Sequence, residues 1–284
     1  MSGAAASRLR SSRKAERFTE SVIREMTRVA AQHEAINLAQ GFPDFPAPAA
    51  LKAAATRAIE ADLNQYAVTW GSPRLRAAIG DFLRRRRGVE VDPDAQVTVC
   101  CGATEAMIAA MLGVLDPGDE VLIPEPYYEN YGPDGVLCDA APRFVPLADG
   151  FRLDLEAMRA AVGPRTRAVV LNTPHNPTGR VFSREELAGL CELVREHDLL
   201  LFTDEIYEEI LFTGPHRTPL LEPGMAERTL VISGASKTFS VTGWRVGWVV
   251  SPPALTGGVR KVHDFLTVGA PAPPSPGGIQ LFSL

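Results

Sequence analysis

Short apolar segments alternate along this chain with longer amphipathic segments, from about residue 97 to residue 250. The apolar segments are four or five residues long and rich in Val, Ile and Leu, a pattern that predicts strands buried on both faces. The predicted strands are Val97–Cys100, Glu120–Ile123, Arg143–Pro146, Ala168–Leu171, Leu199–Thr203, Leu230–Ser233 and Val246–Val250.

Helical patterns lie between most of these strands. The predicted helices are Ala103–Leu115, Tyr127–Leu137, Asp154–Val162 and Ser183–His197, with a further one that begins near Ser72. Ser183 and Glu186 form a capping-box pattern, and Thr104 is expected to open the first of these helices. Alternation of strands and helices predicts an α/β fold, in which a mostly parallel, seven-stranded sheet lies between helices. Ligands of such sheets bind beyond the carboxyl ends of the strands, so the functional residues are expected in the loops that follow strands.

Proline and glycine mark the domain organisation. The segment Gly41–Pro48 separates an N-terminal helical arm, Arg17–Gln32, from the body. We predict an arm or part of a small domain over residues 1–45, and a large ligand-binding domain over residues 46–273. Residues 274–284 have neither helical nor strand periodicity and are expected to form an unstructured tail.

Composition narrows the functional classes. The chain has 284 residues, 45% of them hydrophobic, which is enough to bury a large core. A net charge of −5 argues against nucleic acid as a partner. The one dense basic cluster, Arg84–Arg87, ends a predicted helix, where cations are favourable, and is expected to be solvated. No apolar run reaches the length of a membrane span, so no membrane partner is expected.

The cysteines and the N-terminus indicate the compartment. The four cysteines show no C-x-x-C spacing, which argues against zinc, and they suit buried positions in a reducing, cytoplasmic setting. Residues 1–14 are small and basic without an amphipathic pattern, so a frayed terminus is favoured over a transit peptide.

Two loops after strands contain candidate anion- and oxygen-binding groups. Cys101–Glu105, which reads Cys-Gly-Ala-Thr-Glu, opens a helix, whose backbone N–H groups and Thr104 hydroxyl would cradle an anion. By itself this pattern is more often a turn and a helix cap. Asn172–Gly179 has two X-Pro bonds, a type of bond that can adopt the cis form. They fix the path of the loop and direct the Asn176 side chain. A plain rigid turn would not need two prolines around an asparagine.

Two further loops contain an acid and a lysine. Asp204 ends a wholly apolar strand, where it would cap a helix, face solvent or pair with a protonated ring nitrogen. The stretch Ser233–Gly247 places Lys237 in a turn of small residues and Arg245 eight positions later. A lysine that forms a Schiff base with an aldehyde cofactor needs close backbone packing, and a guanidinium suits a phosphate.

Together the four loops provide the groups that pyridoxal phosphate chemistry requires: an amine, a carboxylate, donors to a phenolic oxygen and an anion site. Their order and spacing resemble the fold-type I aminotransferases of class I/II. Asn37–Phe45 and Asn64–Tyr66 are similar to the subgroup that contains kynurenine aminotransferase, glutamine transaminase K and aspartate aminotransferase-like enzymes. The resemblance covers roughly residues 17–273 and implies pyridoxal 5′-phosphate as cofactor.

The resemblance also implies roles. Lys237 would hold the cofactor and move a proton from the substrate Cα, and Asp204 would keep the pyridine nitrogen protonated. Asn176 and Tyr207 would donate hydrogen bonds to the phenolic oxygen. Phosphate contacts would come from the start of the first helix, Gly102, Ala103 and Thr104, and from Ser236 and Arg245.

Aromatic and substrate contacts follow from the same resemblance. Tyr128 matches the ring that stacks on the cofactor, with Tyr127 as the alternative if the register differs by one residue. Tyr66 matches a tyrosine that each subunit of a homodimer lends to its neighbour's phosphate site. Gly41 matches a backbone contact to the substrate carboxylate, to which Asn176 also contributes. Packing in the core or at the surface remains open for Tyr66 and Tyr128.

The chain departs from the family at its end. Family members continue into a small domain with a second arginine, which binds the substrate α-carboxylate. Here the sequence runs into Pro274–Leu284, so we expect that arginine to be absent, and Arg260 does not match its position. The expected consequences are weaker substrate binding, a less stable dimer and exposed apolar surface.

The sequence is therefore compatible with three functions. The first is a pyridoxal phosphate aminotransferase that exchanges an amino group between an L-amino acid and a 2-oxo acid. The second is a β-eliminating C–S lyase or a cyclopropane-forming synthase that uses the same cofactor cradle. The third is an inactive fragment that folds in part or pairs with a longer relative. The identity of the amino acid is not predicted.

Overall fold

The computed structural model describes residues 9–212 and 214–272 of the chain. The predicted tail, 274–284, lies outside the described residues. The chain divides into two compact units, one that ends at Gly41 and one that begins at Phe42.

The described part of the N-terminal unit, from residue 9, contains one α-helix. Helix α1 (Val22–Gln32) begins five residues after the predicted start at Arg17, because Ser21 has non-helical backbone angles and caps the helix. The Ser21 hydroxyl accepts a hydrogen bond from the Arg24 N–H at 3.2 Å.

The second unit is built around one seven-stranded sheet, as predicted. Its strands are β1 (Val97–Cys100), β2 (Glu120–Glu125), β3 (Ala141–Pro146), β4 (Thr166–Asn172), β5 (Leu200–Asp204), β6 (Thr229–Gly234) and β7 (Gly247–Val250). The strand order is β1-β7-β6-β5-β4-β2-β3. All neighbours pair in parallel except β7, which runs antiparallel to β1 and β6 between them. The carboxyl ends of β1, β2, β4, β5 and β6 therefore meet at one edge.

Helices cover both faces of the sheet. They are α2 (Ala49–Glu60), α3 (Pro73–Arg87), α4 (Pro93–Gln96), α5 (Gly102–Val114), α6 (Tyr131–Leu137), α7 (Leu155–Ala161), α8 (Arg184–Glu196), α9 (Ala235–Thr238) and α10 (Pro253–Thr267). Along β4, Val170 packs in the cluster that includes α5 and Val169 packs in the cluster that includes α8. Both faces are buried, which explains why the strands read as continuous apolar runs. Among the described residues, none of the helices has the length and apolarity that a membrane crossing needs.

Besides that of α1, two predicted helix starts are wrong. The helix predicted from Tyr127 begins at Tyr131, because the rings of Tyr127 and Tyr128 instead contact Phe144 and Tyr131 from a loop. Helix α5 begins at Gly102 and not at Thr104. A side chain of the first helical turn caps its N-terminus: the Glu105 carboxylate accepts a hydrogen bond from the Cys101 N–H at 2.9 Å.

The arginine run is partly buried, which corrects the expectation of a solvated helix end. The side chain of Arg87 is 8% exposed and its guanidinium lies 2.9 Å from the Glu208 carboxylate. It also contacts Glu209, which accepts a further hydrogen bond from Arg86 at 2.6 Å. The physical reason is a tertiary contact, because the end of α3 faces the acidic turn that follows β5. The charge pattern within the helix sequence gives no sign of this contact.

The predicted capping box of α8 is present, with Ser183 and Glu186 each bonded to the other's backbone N–H. Replacing Ser183 with alanine is expected to lower the free energy of unfolding by about 1 kcal/mol, since one helix-end N–H loses its acceptor. Urea denaturation measures this difference, with the exposed Glu192→Ala in the same helix as the control. Equal midpoints for Ser183→Ala and the unsubstituted chain would contradict the assignment.

Candidate active site

The carboxyl ends of three neighbouring strands bring their loops together. In the sheet register, Asn172 at the end of β4 lies beside Asp204 at the end of β5, and Asp204 lies beside Ile232 of β6. The Asn172 amide donates to the Asp204 carbonyl at 2.8 Å, and its side-chain oxygen accepts the Asn176 N–H. The strand ends are thus bonded to the loop that holds Asn176. Both X-Pro bonds of that loop are cis, as the sequence suggested for at least one.

Asp204 is a buried carboxylate with two internal donors. It is 6% exposed, and its Oδ2 accepts a hydrogen bond from the Tyr131 hydroxyl at 2.7 Å. Its Oδ1 accepts the Ile206 N–H at 3.2 Å. Burial raises the pKa of Asp204 to about 6, although the bond from Tyr131 acts in the opposite direction. Its carboxylate can therefore accept a proton near neutral pH.

Lys237, Tyr207 and Asn176 lie around a common space. The Lys237 Nζ is 5.7 Å from the centroid of the Tyr207 ring. The Asn176 Nδ2 donates to the Tyr207 hydroxyl at 3.4 Å. Burial, and then the charge of Asp204, raise the pKa of Tyr207 to about 12, so this hydroxyl stays a donor. Burial, followed by the charge of Arg245, lowers the pKa of Lys237, which favours the neutral, nucleophilic amine.

Arg245 lies against the start of α5. Its backbone is left-handed, with φ 54° and ψ 51°, and its guanidinium donates to the carbonyls of Thr242 (3.0 Å) and Cys101 (3.5 Å). A Cβ at Gly102 would meet this guanidinium, and the backbone φ of +84° there favours glycine. Among the described residues, no carboxylate forms a salt bridge with Arg245. A cation at a helix N-terminus without an acidic partner is a fit for an anion such as a phosphate.

The aromatic residues are distinguished by their neighbours. Tyr128 meets Tyr131 edge-on, with ring centroids 5.6 Å apart, and so lies near Asp204. The Tyr127 ring instead stacks on the Phe144 ring, with centroids 4.7 Å apart. This arrangement favours Tyr128 over Tyr127 for contact with a ligand ring.

The remaining predicted residues have the following places. Ala103 and Thr104 lie in the first turn of α5, with Thr104 exposed, and Ser236 is buried in α9 beside Lys237. The Tyr66 side chain is 88% exposed. Gly41 belongs to the N-terminal unit. The roles of these residues, like those of the other predicted site residues, stay predictions.

Sequence reasoning assigned no role to three buried groups of this region. Tyr131 follows Tyr128 by three residues, and that helical spacing was its only local signal. Asp134, one turn later, is 6% exposed, and burial followed by the charge of Asp204 raises its pKa to about 7. Asn172 was seen as the first residue of its loop, but its bonds to Asp204 and Asn176 depend on the pairing of β4 with β5.

Comparisons with known proteins agree with this geometry. The family described as aminotransferase class I and II matches residues 33–278. The probable N-succinyldiaminopimelate aminotransferase DapC of Mycobacterium tuberculosis is 45% identical over 264 residues, which cover 91% of this chain and 66% of that protein. Human kynurenine–oxoglutarate transaminase 1 is 40% identical over 255 residues, which cover 84% of this chain and 60% of that protein. The chain thus spans less than two thirds of the length of these curated relatives.

Solved structures give the same result. The structure of N-succinyldiaminopimelate aminotransferase from Mycobacterium tuberculosis superposes with a TM-score of 0.94 at 42% identity, covering 96% of this chain and 72% of that one. Aspartate aminotransferase from Thermus thermophilus with maleate gives a TM-score of 0.91 at 33% identity, with coverages of 96% and 72%. The similarity therefore includes nearly all of this chain.

Proposed function

The chain belongs to the class I and II aminotransferases, and on that premise we propose that it moves an amino group between an L-amino acid and a 2-oxo acid. The observation that carries the proposal is the grouping of a lysine amine, a hydrogen-bonded tyrosine and a buried carboxylate at one sheet edge. The distances are 5.7 Å from Lys237 Nζ to the Tyr207 ring and 3.4 Å from Asn176 to the Tyr207 hydroxyl.

The family uses pyridoxal phosphate, and the residues of this site fit it. When bound, that cofactor supplies an aldehyde that takes up an amino group and a ring that accepts electrons from the substrate α-carbon. Arg245 and the N–H groups of Gly102–Thr104 would hold the phosphate, with Ser236 beside them. Tyr128 would contact the ring face. Asp204 would accept a hydrogen bond from the protonated ring nitrogen, and Tyr131 would keep that carboxylate oriented.

Lys237 would carry out the proton transfers. Its lowered pKa leaves more of the neutral amine, which could hold the cofactor through its aldehyde and could accept a proton from the substrate α-carbon at Nζ. Tyr207 and Asn176, which lie near Lys237, would donate hydrogen bonds to the phenolic oxygen of the cofactor. These hydrogen bonds would favour amino-group transfer near neutral pH. Asn176 would contact the substrate carboxylate.

Substrate, assembly and compartment are finer parts of the proposal. The relatives named above act on different amino acids by their names, N-succinyldiaminopimelate and kynurenine, so we propose only the class of L-amino acid and 2-oxo acid. We propose a homodimer, in which the exposed Tyr66 would be available to a partner subunit. Cys100, Cys138 and Cys191 are buried, which supports a reducing compartment such as the cytoplasm.

The proposal is tested by the visible absorption of the purified chain with added pyridoxal phosphate. A band that depends on Lys237 is expected, and it should disappear when an amino donor such as kynurenine, glutamine or methionine is added. Lys237→Ala is expected to lose the band and to lower turnover by at least roughly 10²–10⁴-fold, because the proton-transfer group is removed. The exposed Lys52→Ala serves as the control lysine.

Product analysis separates the alternatives. The 2-oxo acid of the added amino acid, with no ammonia released, is the expected product. Pyruvate and ammonia from a cysteine conjugate would instead indicate the lyase. An identical spectrum for the unsubstituted chain and Lys237→Ala would contradict cofactor binding at this site and the proposed function with it.

A further inference from the structure

A second anion lies at the helix end that is proposed to hold the phosphate. Glu105, in the first turn of α5, is 9% exposed. Its Oε2 accepts the Cys101 N–H at 2.9 Å, and the carbonyl of the same Cys101 accepts from Arg245 at 3.5 Å. The buried carboxylate and the proposed phosphate would therefore share one helix N-terminus. Two uncompensated anions so close together repel each other.

His263 of α10 provides the compensating charge. It is 0% exposed, and its Nδ1 lies 3.0 and 3.1 Å from the two Glu105 oxygens. Its Nε2 lies 2.7 Å from the carbonyl oxygen of Thr69. A carbonyl and a carboxylate are both acceptors, so both ring nitrogens must donate, and the ring is then an imidazolium.

The surroundings support that charge. Burial alone lowers the pKa of His263, but the hydrogen bonds and the charge of Glu105, with the Thr69 carbonyl, outweigh it, and the pKa is raised. From β1, Cys100 faces the pair, and burial holds the pKa of its thiol well above the usual range, so it stays neutral. Asp264 on the same helix adds a further negative charge, and the Thr267 hydroxyl is 3.4 Å from Nδ1.

We propose that protonated His263 is a positioning residue that favours binding of the cofactor phosphate. It does so by neutralising Glu105 and by linking the Cys101–Thr104 turn to Thr69 through hydrogen bonds. The inference rests on the proposed function. His263 does not touch the phosphate in this arrangement: it acts through Glu105, and Glu105 acts through the Cys101 N–H. Thr69 is three residues from Tyr66, so the same histidine also fixes the base of the segment that holds Tyr66.

Charge-matched variants test the proposal through cofactor affinity without measuring turnover. The dissociation constants of pyridoxal phosphate and of pyridoxal, which lacks the phosphate, are measured by the Lys237-dependent absorption. His263→Gln leaves Glu105 uncompensated and is expected to weaken pyridoxal phosphate binding roughly tenfold, as for one charge at a partly buried helix end. Binding of pyridoxal should change little. Glu105→Gln with His263→Gln removes both charges and should restore the affinity.

The pH dependence of the unsubstituted chain gives a second readout that needs no variant. Its affinity for pyridoxal phosphate, divided by that for pyridoxal, is expected to fall as the pH rises through the raised pKa of His263. The ratio cancels the titration of Lys237, which both ligands share. In Glu105→Gln the fall should disappear from this pH range, because the buried histidine loses the hydrogen bond and the charge that raise its pKa.

The outcomes are separable. A ratio that does not change with pH, or His263→Gln weakening both ligands equally, would show a merely structural histidine and overturn the inference while the proposed function stands. A double variant no better than His263→Gln would do the same. If neither ligand gives a Lys237-dependent band, the proposed function itself fails and this inference fails with it.

Discussion

Replacing Arg87 with methionine is expected to lower the free energy of unfolding by about 3–5 kcal/mol, because a buried carboxylate then loses its cation. The Glu208 side chain is 2% exposed, and its oxygens accept from Arg87 at 2.9 Å and from Ser233 at 2.6 Å. Burial already raises the pKa of Glu208 in spite of the charge of Arg87. Without Arg87 the carboxyl must either stay charged in an apolar setting or take up a proton. Urea denaturation measures the loss.

Two controls show whether the loss comes from the buried charge. Arg84→Met in the same run removes a half-exposed arginine that pairs with an exposed Asp81, and it should change the unfolding free energy by less than about 1 kcal/mol. The double variant Arg87→Met with Glu208→Gln should be more stable than Arg87→Met alone, since it has no buried Glu208 carboxylate without a cation. If the double variant is the less stable of the two, the explanation by an uncompensated carboxylate is wrong.

The network around Glu208 explains why this stability bears on the active site. Glu205 and Glu208 follow Asp204 within one turn, and each is held by internal donors: His216 and Thr218 bond Glu205, at 2.6 and 2.7 Å. The backbone that directs Asp204 and Tyr207 toward the site is therefore anchored from behind by buried polar contacts. Loss of Arg87 is expected to loosen both residues as well as the fold.

Asp204→Asn is expected to lower turnover by about 10²–10³-fold, while the chain still folds and binds the cofactor. Asparagine keeps the shape of the side chain but removes the negative charge that would hold a proton on the ring nitrogen. Steady-state turnover and the cofactor dissociation constant, measured together, separate the two effects. Asp134→Asn removes a neighbouring buried carboxyl whose Oδ2 has no hydrogen-bond partner among the described residues, and it should leave turnover nearly unchanged.

Tyr131→Phe provides a graded version of the same test. The bond from Tyr131 lowers the pKa of Asp204, which burial raises to about 6 overall. Its removal should raise that pKa further, so the acid limb of the activity–pH profile should move to higher pH. Full activity of Asp204→Asn, or an unmoved acid limb in Tyr131→Phe, would contradict the role given to this carboxylate.

The sequence alone predicted the seven strands and most of the helices that cover them. It did so because strands buried on both faces must be continuously apolar, and helix caps such as Ser183 with Glu186 are local features. The long helices α2 and α10 and the four-residue helices α4 and α9 were not predicted. Helix α10 contains Pro253, Gly257 and Gly258, which are weak helix formers, and its stability comes from packing on α5. There Gly258 and Gly113 approach so closely that a Cβ on either would meet backbone atoms.

Local motifs likewise predicted the family and the residues that surround the proposed cofactor site. Asn176 and Lys237 follow the parallel strands β4 and β6, and Asp204 ends β5. Residues at the carboxyl ends of parallel strands meet at one edge whatever the strand order. Tertiary structure alone placed β7 antiparallel between β1 and β6, which brings Arg245 against Gly102. It also joined Tyr131 to Asp204, Arg87 to Glu208 and His263 to Glu105, partners 73, 121 and 158 residues apart. Such charge pairings have no local pattern, because their energy arises only when packing removes water from both groups.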